Sequence, residues 1–224
     1  MLYTLENVRD NLRTREGKRV FFLGAGDNLT SAARDFLKEQ RIAILPAENA
    51  KITRFVTEDG SFFEEKPEHM TQLNGNLLVP KTHPRIVFRG KLDSLEAALL
   101  LAAGELPEKA KALTEILDCV RKILRCEVLE EPFVPEKLWG LTEEEQRVRS
   151  QNPQKYYGCP HFMPQATDGP AILRLNRLRT QIRETELAAA AAFGRERTDI
   201  LRALNRLSSL VYILMLQCKG EKSP

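Results

Sequence analysis

Arg179, Arg183 and Glu186 stand at i, i+4 and i+7 in LNRLRTQIRETELAAAAAF, so a helix there sets two guanidiniums and a carboxylate on one face. Leu175, Leu178, Ile182 and Ala189 form a separate apolar stripe that can seat the same helix in a core. Arginine is always charged and carries a fork of donors that fits polyphosphate oxygens. A glutamate one turn away can hold a guanidinium in place or accept from a ligand hydroxyl. A solvated helix face with i,i+3 pairing has the same spacing.

Two further clusters have the residue types for chemistry. Asn205, Ser209 and Tyr212 also fall at i, i+4 and i+7, in the otherwise apolar TDILRALNRLSSLVYILML. This narrow polar stripe either meets a ligand or satisfies neighbouring helices. Lys81, Arg85, Arg89 and Lys91 crowd a Gly- and Pro-containing stretch read as the approach to a helix, with Asp93 in its first turn. Cations ahead of a helix N-terminus suit anion binding, and they equally suit a basic loop with Asp93 as a cap or first-turn acid.

Other candidates are weaker. Gly24-Ala25-Gly26 follows an expected strand, but Leu29 stands where a dinucleotide-binding loop needs its third glycine. His69, His83 and His161 have no second ligand at metal-binding spacing, and Cys119, Cys126, Cys159 and Cys218 form no C-x-x-C pair. No metal site is expected.

The elements that must carry these residues fall into two textures. Up to about residue 66 the chain has short β-type runs, KRVFFL at 18–23, RIAIL at 41–45 and KITRFV at 51–56. Between the first two, LTSAARDFLKEQ offers Thr30 or Ser31 as N-cap of a short helix with Ala33, Phe36 and Leu37 on one face. Glu58-Asp59-Gly60 supplies a hairpin turn into SFFEE. After a polar stretch with Pro67, Pro80 and Pro84 the period lengthens to about 3.6. Helices are expected at 91–104, 107–126, 142–151, 169–193 and 198–218, with a proline-rich link over 127–168 that is either a functional loop or plain flexible chain. The expectation is mainly α: a small α/β unit over 1–66, then a five-helix bundle over 67–224.

The chain has 224 residues, 42% of them hydrophobic and 29% charged, and a net charge of only +3. That composition fits a folded globular protein and gives no overall cationic field for nucleic acid. No apolar run approaches the roughly 20 residues of a membrane span. The charged amino terminus does not read as a signal peptide, so a cytoplasmic protein with reduced thiols is expected.

Taken in order, the segments of residues 69–218 resemble the corrinoid adenosyltransferases, in particular the branch found with ethanolamine utilisation. The resemblance lies in Thr71-x-Leu73 followed by Lys81 and Arg85, and in Gly90-x-x-Asp93-Ser94-Leu95. It continues in Phe162-Met163-Pro164, in Arg179-x-x-x-Arg183-x-x-Glu186 and in Leu204-Asn205-Arg206-Leu207-Ser208. LTSAARDFLKEQRIAI resembles that branch's amino-terminal extension. The resemblance implies a homotrimeric bundle that joins ATP to a reduced corrinoid, cobalamin, to make adenosylcobalamin. Such a product would serve a B12-dependent lyase, such as ethanolamine ammonia-lyase, or its reactivase, in the cytoplasm or in a bacterial microcompartment.

Carried over by motif, Thr71, Lys81, Arg183 and Asn205 bind ATP, and Arg179, Arg183 and Glu186 form the catalytic face, with Glu186 orienting the arginines. Asp93 and Arg179 form a salt bridge across subunits, and Phe162 contacts the corrin. Two features depart from the family pattern. Many ethanolamine-branch enzymes carry a His and a Cys-Cys-x-x-Cys cluster, whereas EEKPEHMTQL keeps His69 and no cysteine. With those cysteines missing, no iron or zinc site is expected, and any divalent ion is expected to be Mg2+ on the ATP phosphates. The Gly-rich phosphate loop of the propanediol branch is also absent before Thr71, so the expectation is that ATP is held differently or that the amino-terminal unit folds back onto the site. The alternative function is a non-catalytic corrinoid- and ATP-binding delivery or sensor protein.

Overall fold

Short strands with turn residues between them build the amino-terminal part, and long amphipathic helices build the rest. A computed structural model describes residues 1–15, 18–47 and 55–220. Two compact units result, Met1–Lys81 and Thr82–Pro224.

In the first unit, β1 (Leu2–Tyr3), α1 (Leu5–Asp10), β2 (Arg13–Arg15), β3 (Lys18–Leu23), β4 (Asn28–Leu29), α2 (Ser31–Glu39) and β5 (Ala43–Pro46) follow one another. β3 pairs antiparallel with β2 and in parallel with β5, and β1 pairs in parallel with β4. Thr30, not Ser31, caps α2, accepting from the Ala33 amide at 3.3 Å. Ala33 and Leu37 of α2 are buried with Val8, Phe21, Leu29 and Ile42, and Phe36 packs at the edge. A third sheet has the order β7-β6-β9-β8, from β6 (Phe55–Thr57), β7 (Phe62–Phe63), β8 (Met70–Asn74) and β9 (Leu77–Pro80). The hairpin turn expected at Glu58-Asp59-Gly60 is present, with Gly60 at φ +81°, where a side chain is strained. Of the strand expected at 51–56, residues 51–54 lie outside the described residues. Because β9 pairs with β6, packing assigns the 70–80 hairpin to the first unit.

The second unit holds α3 (Pro84–Glu105), α4 (Ala110–Val128), α5 (Glu143–Gln151), α6 (Pro153–Tyr157), α7 (Pro170–Phe193) and α8 (Thr198–Gly220). α3 packs between α4 and α7, α7 packs on α8, and α5 and α6 pack on the other side of α8. Four long helices and α5 make the expected five-helix bundle. Phe88, Leu92, Leu95, Leu99 and Ala102 give α3 an i, i+3, i+4 apolar stripe that meets Ile116 and Val120 of α4 and Ile182 and Ala189 of α7 in one core. α8 is buried around most of its circumference because helices cover more than one of its sides.

One element differs from expectation in a way that matters. α3 begins at Pro84, seven residues before the expected start. Proline is favoured in the first turn, and His83 Nδ1 accepts from the Arg85 amide at 3.2 Å. Arg85, Arg89 and Lys91 therefore lie on the helix and not ahead of it, and Asp93 is well past the first turn. The basic approach to a helix N-terminus, read as an anion site or a basic loop, is not formed. The guanidiniums of Arg85 and Arg89 instead close on the fully buried Glu127 carboxylate, with Arg85 Nε 2.6 Å from Oε1 and Arg89 Nη2 3.2 Å from it.

Candidate functional site

The face expected on α7 meets α8 at one point. Glu186 Oε1 accepts from Asn205 Nδ2 at 3.2 Å, so the carboxylate engages the amide of the second motif in place of either arginine. Arg206 Nη2 donates to Asn205 Oδ1 at 2.6 Å, which fixes the amide's orientation. The Asn205 carbonyl accepts from Ser208 and Ser209, so part of the α8 polar stripe serves the helix itself. A carboxylate and a carboxamide held in this way form a rigid polar patch where two motifs, some 20 residues apart in sequence, come together.

The two arginines of α7 have different surroundings. Arg183 is exposed and makes no hydrogen bond or ion pair among the described residues. Arg179 is half-buried, donates to Asn176 Oδ1 at 3.4 Å, and lines a cavity of about 530 Å³ with Phe162, Met163, Pro164, Tyr212 and Met215. Phe162 and Arg179 thus share one cavity, with a largely apolar wall and a cation at its rim. A second cavity of about 620 Å³ opens beside α5 and α8, lined by Lys137, Arg147, Arg202 and Arg206 and by Glu136, Glu143 and Glu144.

On α3, Asp93 is exposed and has no partner among the described residues. Beside it α3 is tied to α7 by Lys91 Nζ to Glu184 Oε2 at 3.0 Å and by Gln181 Nε2 to the Ser94 carbonyl at 2.9 Å. Thr71 and Lys81 belong to the first unit. Thr71 is on β8 opposite Val79, and the exposed Lys81 follows β9 with its amide donating to the His69 carbonyl at 3.0 Å.

Burial pushes the Cys119 thiol up to about 12, and burial also raises Cys159. Neither is a ready thiolate, so thiol chemistry is disfavoured at both. Among the described residues no three His, Cys, Asp or Glu side chains are gathered as a metal cluster. Glu127 is the buried charge that the sequence reading missed. Ile116, Val120, Ile123 and Glu127 share one helical stripe, and an acid at the end of a core stripe is the signal that could have found it.

The fold and the α7–α8 patch define a helical-bundle protein with open cavities beside its helices. The family model for cobalamin adenosyltransferase matches residues 62–218, and the chain belongs to that family. Similar curated proteins are corrinoid adenosyltransferases EutT. The one from Salmonella typhimurium is 38% identical over 158 residues, covering 68% of this chain and 59% of its own length. Those from Escherichia coli strains K12 and CFT073 are each 31% identical over 247 aligned positions, covering 93% of this chain and 89% of theirs. That alignment is longer than the 224-residue chain, so the E. coli relatives have residues that this chain lacks. No solved structure matches the chain.

Proposed function

We propose that this protein transfers the 5′-deoxyadenosyl group of ATP to the cobalt of a reduced corrinoid. In this reaction the Co(I) electron pair forms the cobalt–carbon bond as the bond from the 5′ carbon to its oxygen breaks, and the polyphosphate departs. The protein must hold two reactants in line and neutralise the leaving group, and it needs no general base. The observation that carries this reading is the hydrogen bond between Glu186 and Asn205, which joins two motifs of the family in one patch.

Among the described residues the Arg183 guanidinium has no internal partner, which suits a group kept for phosphate oxygens. The family motifs assign Thr71, Lys81 and Asn205 to ATP as well. Arg179 reaches toward Asp93 of a neighbouring subunit in a homotrimer. Exposed Leu100 and Leu101 of α3 (53% and 56%) and Leu187 of α7 (70%) support such an assembly, since they lie on the two helices that carry Asp93 and Arg179. Magnesium enters bound to the ATP phosphates, a role that needs few protein ligands because the ion keeps waters and takes phosphate oxygens. The product serves a B12-dependent ethanolamine ammonia-lyase, in the cytoplasm or in a microcompartment.

Anaerobic incubation with ATP, magnesium and chemically reduced cobalamin tests the reading through absorbance. Formation of a light-sensitive alkylcobalamin is expected. Binding of both substrates without that product shows a delivery or sensor protein instead, and binding of neither leaves a likeness of fold alone.

A further inference from the structure

Phe162 is held by hydrogen bonds whose directions can be worked out. Its amide donates to the Tyr212 hydroxyl oxygen at 3.3 Å, and that oxygen lies 3.1 Å from His161 Nδ1. His161 Nε2 lies 3.3 Å from the Gln151 carbonyl. A carbonyl can only accept, so the neutral imidazole has its proton on Nε2 and an acceptor lone pair on Nδ1. The Tyr212 hydroxyl then donates to Nδ1 and accepts from Phe162. Both rings also lie near-parallel to the Tyr212 ring, His161 at 5.9 Å and 8° and Phe162 at 6.1 Å and 28°.

Two more residues of α8 hold the same loop. Cys159 Sγ is 3.7 Å from the Leu216 carbonyl, and Lys219 pairs with the buried Asp168 while standing 5.3 Å over the Phe162 ring. Tyr212, Leu216 and Lys219 recur at i, i+4 and i+7, so one face of α8 anchors the loop. Its apolar side chains are nevertheless left open: Met163 is 87% exposed, and with Phe162 and Pro164 it lines the cavity of about 530 Å³. A loop fixed through polar atoms that presents its apolar side chains to a cavity is preorganised for an apolar ligand face.

We propose that Tyr212 and His161 are positioning residues for the adenosyl transfer: Tyr212 holds Phe162 in place against the corrinoid and keeps His161 Nδ1 from the cobalt. This rests on the function proposed above. An imidazole is a ready metal ligand, and a nitrogen on the axial position opposes reduction to Co(I) by donating into the orbital that must be filled. With Nδ1 occupied by the tyrosine hydroxyl and Nε2 protonated, His161 has no lone pair to offer.

The test compares the unsubstituted protein with Tyr212→Phe, which keeps the ring stacking and loses both hydrogen bonds, and with Tyr212→Phe combined with His161→Ala. Electron paramagnetic resonance of bound Co(II) cobinamide, which has no nucleotide base of its own, reads the axial ligand directly. Tyr212→Phe is expected to keep KM for ATP, to lose roughly tenfold to a hundredfold in kcat, as a misplaced contact does, and to show nitrogen splitting. The double variant is expected to lose that splitting and to stay slow, because Phe162 is still untethered. A folded Tyr212→Phe protein with unchanged kcat and an unchanged cobalt spectrum overturns the inference. Should Tyr212→Phe fail to fold, Phe162→Ala decides: it removes the ring that Tyr212 holds, so a loss of kcat is expected and unchanged corrinoid kinetics also overturn the inference. Absence of product from the unsubstituted protein is a different result, which takes down the adenosyl-transfer reading and the inference with it.

Discussion

Arg183 and Asp199 show how differently two charged residues can be used. Arg183 has no partner to lose among the described residues, so Arg183→Ala should leave the melting temperature unchanged while adenosyl transfer falls about a hundredfold or more, the scale of a lost charge-stabilising donor. Wild-type activity in that variant would remove the phosphate role. Asp199, in the first turn of α8, is structural. Its carboxylate accepts from the Phe133 amide at 2.7 Å and pairs with Arg197. Burial would raise its pKa, but the Arg197 hydrogen bond and the Phe133 and Ile200 amides together hold it below its ordinary value of 3.8. The folded pKa is the lower one, so this stabilisation is present above the unfolded value and is lost as pH falls through the folded one. Asp199→Asn should therefore lower the melting temperature near neutral pH, with the gap to the unsubstituted protein closing as pH falls below the ordinary value of 3.8 and through the lowered folded one. A gap that stays constant across that range would show that the charge of Asp199 does not matter.

At the scale of elements, the junction of α3 with α4 depends on Glu127. Its carboxylate is fully buried and engaged by Arg85 and Arg89, while Glu130 takes a further Arg85 nitrogen at 3.0 Å. Removing the charge of Glu127 takes away the buried anion that two largely buried guanidiniums share, although Arg85 keeps Glu130. Glu127→Gln is expected to destabilise the bundle by about 3–5 kcal/mol, read from urea unfolding. A change under about 1 kcal/mol would mean that water reaches the arginines. The same cluster explains why the basic residues around position 85 misled the sequence reading. Charge density along a chain does not reveal whether its counter-charge is some forty residues away on another helix.

For the whole molecule, the predictions concern assembly and the first unit. If Asp93 and Arg179 pair across subunits, Asp93→Arg and Arg179→Asp should each weaken the trimer, and the two together should restore it, as sedimentation would show. Restored assembly with both charges reversed is difficult to explain otherwise, and a trimer unaffected by either change would exclude the bridge. Deletions can separate the first unit's roles. Removing residues 1–54 leaves the β7-β6-β9-β8 sheet intact, whereas removing 1–66 strips β6 from β9 and exposes a strand edge. The longer deletion should be the less soluble, and retained transfer by the shorter one would exclude a catalytic part for α1, α2 and their sheet.

Much of this protein could be read from its sequence alone, because secondary structure depends on short-range patterns. β3 fell at Lys18–Leu23 as expected, and α7 and α8 lay within a residue or two of expectation, their periodicity and flanking glycines being local signals. The arginines, Glu186 and Asn205 were also recognisable, as residue types on helical faces. Partner choice was not. That Glu186 meets Asn205, that Glu127 gathers Arg85 and Arg89, and that Tyr212 orders His161 and Phe162 all depend on which helix faces pack together. Each packing choice is made by apolar contacts spread over the whole bundle, so no local stretch of sequence contains it, and only the tertiary structure decides it.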